Sequence, residues 1–164
     1  MKRIEKIVLS LAVSLLVCMT ASAQTDGFRI ITGHPDFKIK AVRCDASDST
    51  CIFDMLVTNV GSQDVKATFN GGSGTSSKAY DDEGNMYNDE KYKLGAGNQQ
   101  PNMYACGVTL PAGVPVRVRI QIEGLNPAAA MFSRIDMGVI CDAWGWPFGQ
   151  THIVKFMNVP ISRD

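Results

Sequence analysis

The sequence has few of the residues that enzymes work with. Its 164 residues include only two histidines, His34 and His152, and neither stands in a motif beside a nucleophile. No G-x-S-x-G elbow presents a serine; Ser73, Ser76 and Ser77 lie instead in a stretch rich in glycine and serine. No G-K-[ST] closes residues 71–78 into a phosphate-binding loop. No C-x-x-C pair offers zinc-site spacing. Together these absences point to a non-enzymatic chain with no cofactor. A small hydrolase, its site assembled only by the fold around His34 or His152, is the alternative.

Long apolar runs are also missing. The longest, residues 7–19, is interrupted by Ser10 and Ser14 and falls short of the roughly 20 residues that span a bilayer. Lys2, Arg3 and Lys6 precede it and Ala21-Ser22-Ala23 follows it. That order is a cleavable export signal over residues 1–23, with Gln24 as the new N-terminus and no transmembrane segment after cleavage. Val17 occupies the place before Cys18 where a lipid-attachment signal carries a small residue, so the expectation is an unanchored periplasmic or extracellular protein.

Charge of one sign is absent too. The signal removes three of 16 basic residues and one of 16 acidic ones, leaving 13 against 15 and a net charge near −2. With no basic excess and no basic stripe along the chain, nucleic acid is not an expected partner. No run of like charge suggests a disordered tail or a polybasic membrane patch.

Four cysteines remain after cleavage, Cys44, Cys51, Cys106 and Cys141. An even number in an exported domain predicts disulfides, with three possible connectivities. The most local joins Cys44 to Cys51 and Cys106 to Cys141.

A period of two dominates the rest. Val114, Val116, Val118, Ile120 and Ile122 alternate with Pro115, Arg117, Arg119, Gln121 and Glu123, which describes a strand with one face in a core. The turn Leu110-Pro111-Ala112-Gly113 before it predicts a hairpin with residues 104–110. Phe37, Ile39 and Ala41 alternate with Lys38, Lys40 and Val42, and Phe53, Met55 and Val57 share one face of residues 51–60. Residues 65–69, 133–141 and 152–161 supply further strands, the last apolar on both faces and so expected centrally in a sheet. Residues 79–80 and 86–87 flank a hairpin-like turn, where Gly84 supplies positive φ. One helical turn is expected at 127–132, a mobile loop at 70–78 and a loosely attached leader at 24–36. The domain over 37–164 is thus an all-β antiparallel sandwich of about seven to eight strands.

Three motifs, in order, carry a family resemblance: Thr58-Asn59-Val60-Gly61 closing a strand, then Asp82-Glu83-Gly84-Asn85-Met86-Tyr87, then Leu110-Pro111-Ala112-Gly113 before the alternating strand. Over roughly residues 37–161 the chain resembles small exported immunoglobulin-like domains of unknown function from bacterial envelope proteins and lipoproteins. The resemblance implies an immunoglobulin-like sandwich and a non-catalytic role, a binding or accessory module, and brings no functional residues with it.

Two segments stand out as sites. Asp81, Asp82, Glu83, Asn85, Asn88, Asp89 and Glu90 crowd oxygen ligands of the kind Ca²⁺ takes, though not at EF-hand spacing. A solvated acidic turn is the preferred reading there. Trp144-Gly145-Trp146-Pro147-Phe148-Gly149 holds both tryptophans. Trp144, Trp146 and Phe148 either cap the core or form an aromatic platform for a glycan or protein partner, which would make the chain a carbohydrate-binding module.

Overall fold

The computed structural model describes residues 28–31, 36–72, 74–141 and 151–163. The expected export signal, His34, Ser73 and the segment bearing Trp144, Trp146 and Phe148 lie outside them.

Alternation builds the sheets. In β3 (Thr50–Asn59) the side chains of Phe53, Met55 and Val57 are buried, while Ile52, Asp54, Leu56 and Thr58 face the other way. In β9 (Pro115–Glu123) Val118, Ile120 and Ile122 are buried. Their apolar faces meet those of β4 (Val65–Asn70), β10 (Met131–Cys141) and β11 (His152–Pro160), which contribute Phe69, Ile135, Met137, Val139, Val154 and Phe156. Phe53 packs edge-on against Phe156 across the core, with ring centroids 5.1 Å apart.

Among the described residues twelve strands form two sheets. The first runs β1 (Arg29–Ile31), β11, β10, β4, β8 (Cys106–Leu110); β5 (Lys78–Asp81) pairs the far half of β10 and carries β6 (Met86–Tyr87). The second runs β12 (Ser162–Arg163), β2 (Phe37–Ser47), β3, β9, β7 (Tyr92–Ala96). Among the described residues every strand pairing is antiparallel except β12 with β2, and one isolated parallel bridge joins Asn59 to Ala112. The strand count exceeds the sequence expectation largely because β1, β6 and β12 have three residues or fewer. Among the described residues the helical content is one 3-10 turn, Asp89–Lys91.

Four local expectations change. β8 and β9 are not a hairpin: β8 pairs β4 in one sheet and β9 pairs β3 and β7 in the other. The turn between them is a crossover, held because Ala112 N–H donates to Asp64 and Gly113 N–H to the Asn59 carbonyl. Within the expected leader, Arg29–Ile31 form β1 and pair with β11, and Phe28 packs edge-on at 6.5 Å from Phe53. In the expected loop 70–78, Gly71 and Gly72 are buried; Ser77 Oγ donates to the Asn70 carbonyl at 2.7 Å and accepts Gly138 N–H at 2.9 Å. At 127–132 a single turn closes by Ala129 N–H to the Asn126 carbonyl before β10 begins.

The turn after β5 forms as the sequence predicts, with Gly84 at φ 85°. Buried Asp81 organises it. One oxygen accepts the amides of Glu83 and Asn85, and the other accepts the Asn85 side-chain amide at 2.9 Å and the Tyr87 hydroxyl at 2.7 Å. Tyr87 in turn accepts the Asn126 amide, tying the hairpin to the loop before β10. Burial alone would raise the Asp81 pKa, but the donors from Tyr87, Asn85 and Glu83 outweigh it and hold the carboxyl below its ordinary value. A depressed folded pKa means stabilisation that is complete above the unfolded aspartate value of about 4 and is lost as pH falls through the folded one. Asp81→Ala should cost roughly 2–4 kcal/mol at neutral pH, since it strands several buried donors. Urea titrations at pH 7 and at acid pH check this: the gap between wild type and variant should narrow on acidification.

Candidate functional site

The cysteines do not form the expected bridges. Cys44 and Cys51 point into the core from diagonal positions on β2 and β3, and their sulfurs lie 3.3 Å apart, a thiol contact longer than the roughly 2.05 Å of a disulfide. The hydrogen bond to Cys51, then burial, drives the Cys44 pKa far upward, so the thiol stays protonated. Cys106 is opposite Phe69 and Cys141 opposite Ala67, on the two sides of β4. Two strand spacings, about 9–10 Å, separate such positions, beyond the roughly 7 Å that a disulfide spans.

The acidic turn has structural work. Asp81 is satisfied by its four donors, and Asp82 accepts the amides of Ala130 and Met131. Glu83, Asp89 and Glu90 are exposed, and Asn85 donates to Asp81. Among the described residues no three His, Cys, Asp or Glu side chains gather where they could hold a metal ion. Ser77 is committed to Asn70 and Gly138 on both its donor and acceptor sides, which leaves it no base. His152 starts β11 opposite Val139.

What the structure brings together is a set of cations that are scattered in sequence. A bulge in β2 between Ala41 and Arg43 inserts Val42 and resets the alternation. Cys44 therefore turns inward, and Arg43 and Asp45 join Lys38 and Lys40 on the outer face. Cross-strand rows then read Lys38–Thr58–Pro115, Lys40–Leu56–Arg117, Arg43–Asp54–Arg119 and Asp45–Ile52–Gln121–Lys93. Six cations share this face with Asp45, Asp54 and Glu123.

Ion pairing divides the face in two. Asp54 is buried although it points outward, because Arg43 (3.0 Å) and Arg119 (3.5 Å) close over it. Arg43 also reaches Asp45 at 3.2 Å, and Lys93 reaches Glu123 at 2.7 Å. The hydrogen bond and charge of Asp54, then the charge of Asp45, raise the Arg43 pKa further above its ordinary value. At the other end Lys38, Lys40 and Arg117 are exposed, and among the described residues no carboxylate pairs with them. Composition gave no sign of this stripe, because the cations come from three strands. The cue in the sequence was the polar half of each alternating segment: Lys38 and Lys40, and Arg117 and Arg119.

One apolar groove of about 200 Å³ opens where the sheets part, lined by Phe28, Val42, Cys44, Phe53, Val159 and Pro160 among others. Cys44 forms part of its wall. Oxidation by diamide, which takes two hydrogens from a thiol pair, should therefore join Cys44 to Cys51 alone. Intact mass should fall by one pair of hydrogens and not two, and Cys51→Ser should abolish the change.

No protein-family model matches the chain and no curated protein matches it, so the immunoglobulin-like resemblance rests on the turn motifs alone.

Proposed function

We propose that the chain is exported and that its mature part is a non-enzymatic binding module of the bacterial envelope, an immunoglobulin-like sandwich that meets its partner through the outer face of the five-stranded sheet. The observation that carries this reading is the trio of exposed cations Lys38, Lys40 and Arg117 on a regular sheet, with which no carboxylate among the described residues pairs. Cationic groups left without carboxylates attract an acidic partner and orient it before contact. Elsewhere, among the described residues, Asp81 and Asp82 hold turns, Ser77 bridges β4 and β10, and Cys44 and Cys51 face the core. No described helix is long and apolar enough to cross a membrane.

Expression of the full chain with a C-terminal tag tests both halves of the proposal. The protein should be recovered outside the cytoplasm with Gln24 as its first residue. It should also be retained on a sulfated-polymer column, and the Lys38→Gln, Lys40→Gln, Arg117→Gln triple variant should elute at clearly lower salt. A cytoplasmic protein that keeps Met1 overturns the export reading; unchanged elution of the triple variant overturns the binding face.

A further inference from the structure

Resting on that binding face, we infer that its partner is an anionic lipid surface, engaged by the Lys38, Lys40 and Arg117 end of the sheet with Val60 and Val114 entering the headgroup boundary. The cations lie on a flat array. Rows along a strand repeat about every 7 Å, and Lys40 and Arg117 flank β3 about 10 Å apart at the backbone. Leu56 lies between them and Thr58 between Lys38 and Pro115, so the ground between the charges is apolar or neutral. The nearest carboxylates along these strands are Asp36, two residues before Lys38, and Asp54, which is closed over by Arg43 and Arg119.

The second observation lies at the rim of the same end. Val60 follows β3 and Val114 precedes β9, and they are 53% and 49% exposed. Their loops are held to one buried residue. Asn59 donates its side-chain amide to the carbonyls of Gln63 (2.7 Å) and Leu110 (3.1 Å), and its Oδ1 accepts the Gly61 amide. Its backbone carbonyl accepts Gly113 N–H at 2.7 Å. Two aliphatic side chains thus stand in water on loops fixed to a common anchor, so little ordering is left to do when they enter an apolar boundary.

Cations beside exposed aliphatic groups match the two attractions of a bilayer surface, charge at the headgroups and apolar burial just beneath. A soluble polyanion would answer the cations but give the valines nothing. A neutral sugar would need a stacking ring, and no aromatic residue lies in the outward rows of this sheet.

Co-sedimentation of the exported protein, beginning at Gln24, with vesicles of equal parts phosphatidylglycerol and phosphatidylcholine tests the inference, with pure phosphatidylcholine vesicles and soluble dextran sulfate as comparisons. The chain should sediment with the anionic vesicles only, and less as salt rises. The Lys38→Gln, Lys40→Gln, Arg117→Gln variant should lose roughly a hundredfold in partitioning, given about fivefold for each basic residue near an anionic surface. Val60→Ser with Val114→Ser should weaken vesicle binding but leave dextran sulfate binding unchanged. Circular dichroism and thermal melts confirm that both variants are folded. Binding to dextran sulfate through the trio with no binding to anionic vesicles would overturn the lipid inference and leave the cationic binding face standing. Vesicle binding that the triple variant retains, or no binding to either probe, would overturn both.

Discussion

The packing of one face of β3 and β9 against β10 and β11 is the constraint on which the rest of the molecule depends. Phe53 sits edge-on to Phe156 at its centre, a geometry that adds about 1 kcal/mol beyond the area both rings bury. Because side chains alternate strictly, burying Phe53, Met55, Val118 and Ile120 also decides what lies outside: Asp54, Leu56, Arg117 and Arg119. A slip of one residue in either strand would bring charge into the core, so the outer face is as firmly specified as the inner one. The cationic array is the obligatory reverse side of the apolar core.

Around that core, buried polar side chains fix the places where the chain leaves a sheet. Asn59 holds the turn after β3 and the crossover from β8 to β9, although the residues it joins are far apart in sequence. Asp81 does the same for the hairpin of β5 and β6 and, through Tyr87, for the loop before β10. Buried amides and carbonyls must find partners, and one well-placed Asn or Asp supplies several at once. Two close backbone approaches add to this: a Cβ on Gly71 would stand 2.5 Å from the Met103 backbone, and one on Gly72 would stand 2.5 Å from the Asp89 carbonyl oxygen.

Local pattern was legible in the sequence; long-range pairing was not. The alternation of β9 and the Gly84 turn could be read directly, because each depends on neighbours a few residues away. The Leu110 to Gly113 turn was also visible, but whether it returns the chain to the same sheet depends on Asp64 and Asn59, dozens of residues earlier. The separation of Cys106 from Cys141 likewise depends on β4 lying between their strands. Lys38, Lys40 and Arg117 could be seen to face outward, but only the β2–β3–β9 pairing gathers them. The bulge at Val42, which turns Arg43 outward and Cys44 inward, leaves no mark in the local sequence.

β1 is three residues long, yet it covers the outer margin of β11 over Lys155 to Met157. Among the described residues β11 would otherwise be the last strand of its sheet, its outward amides and carbonyls left unpaired along a segment rich in apolar side chains. Such a margin readily adds strands from other chains. Trimming the chain just past Ile31 would take Phe28 and Ile30 away from the margin of the core and would leave a templating surface in place of a finished one. The short strand near the start of the described chain thus occupies a margin on which a strand from another chain could otherwise pair.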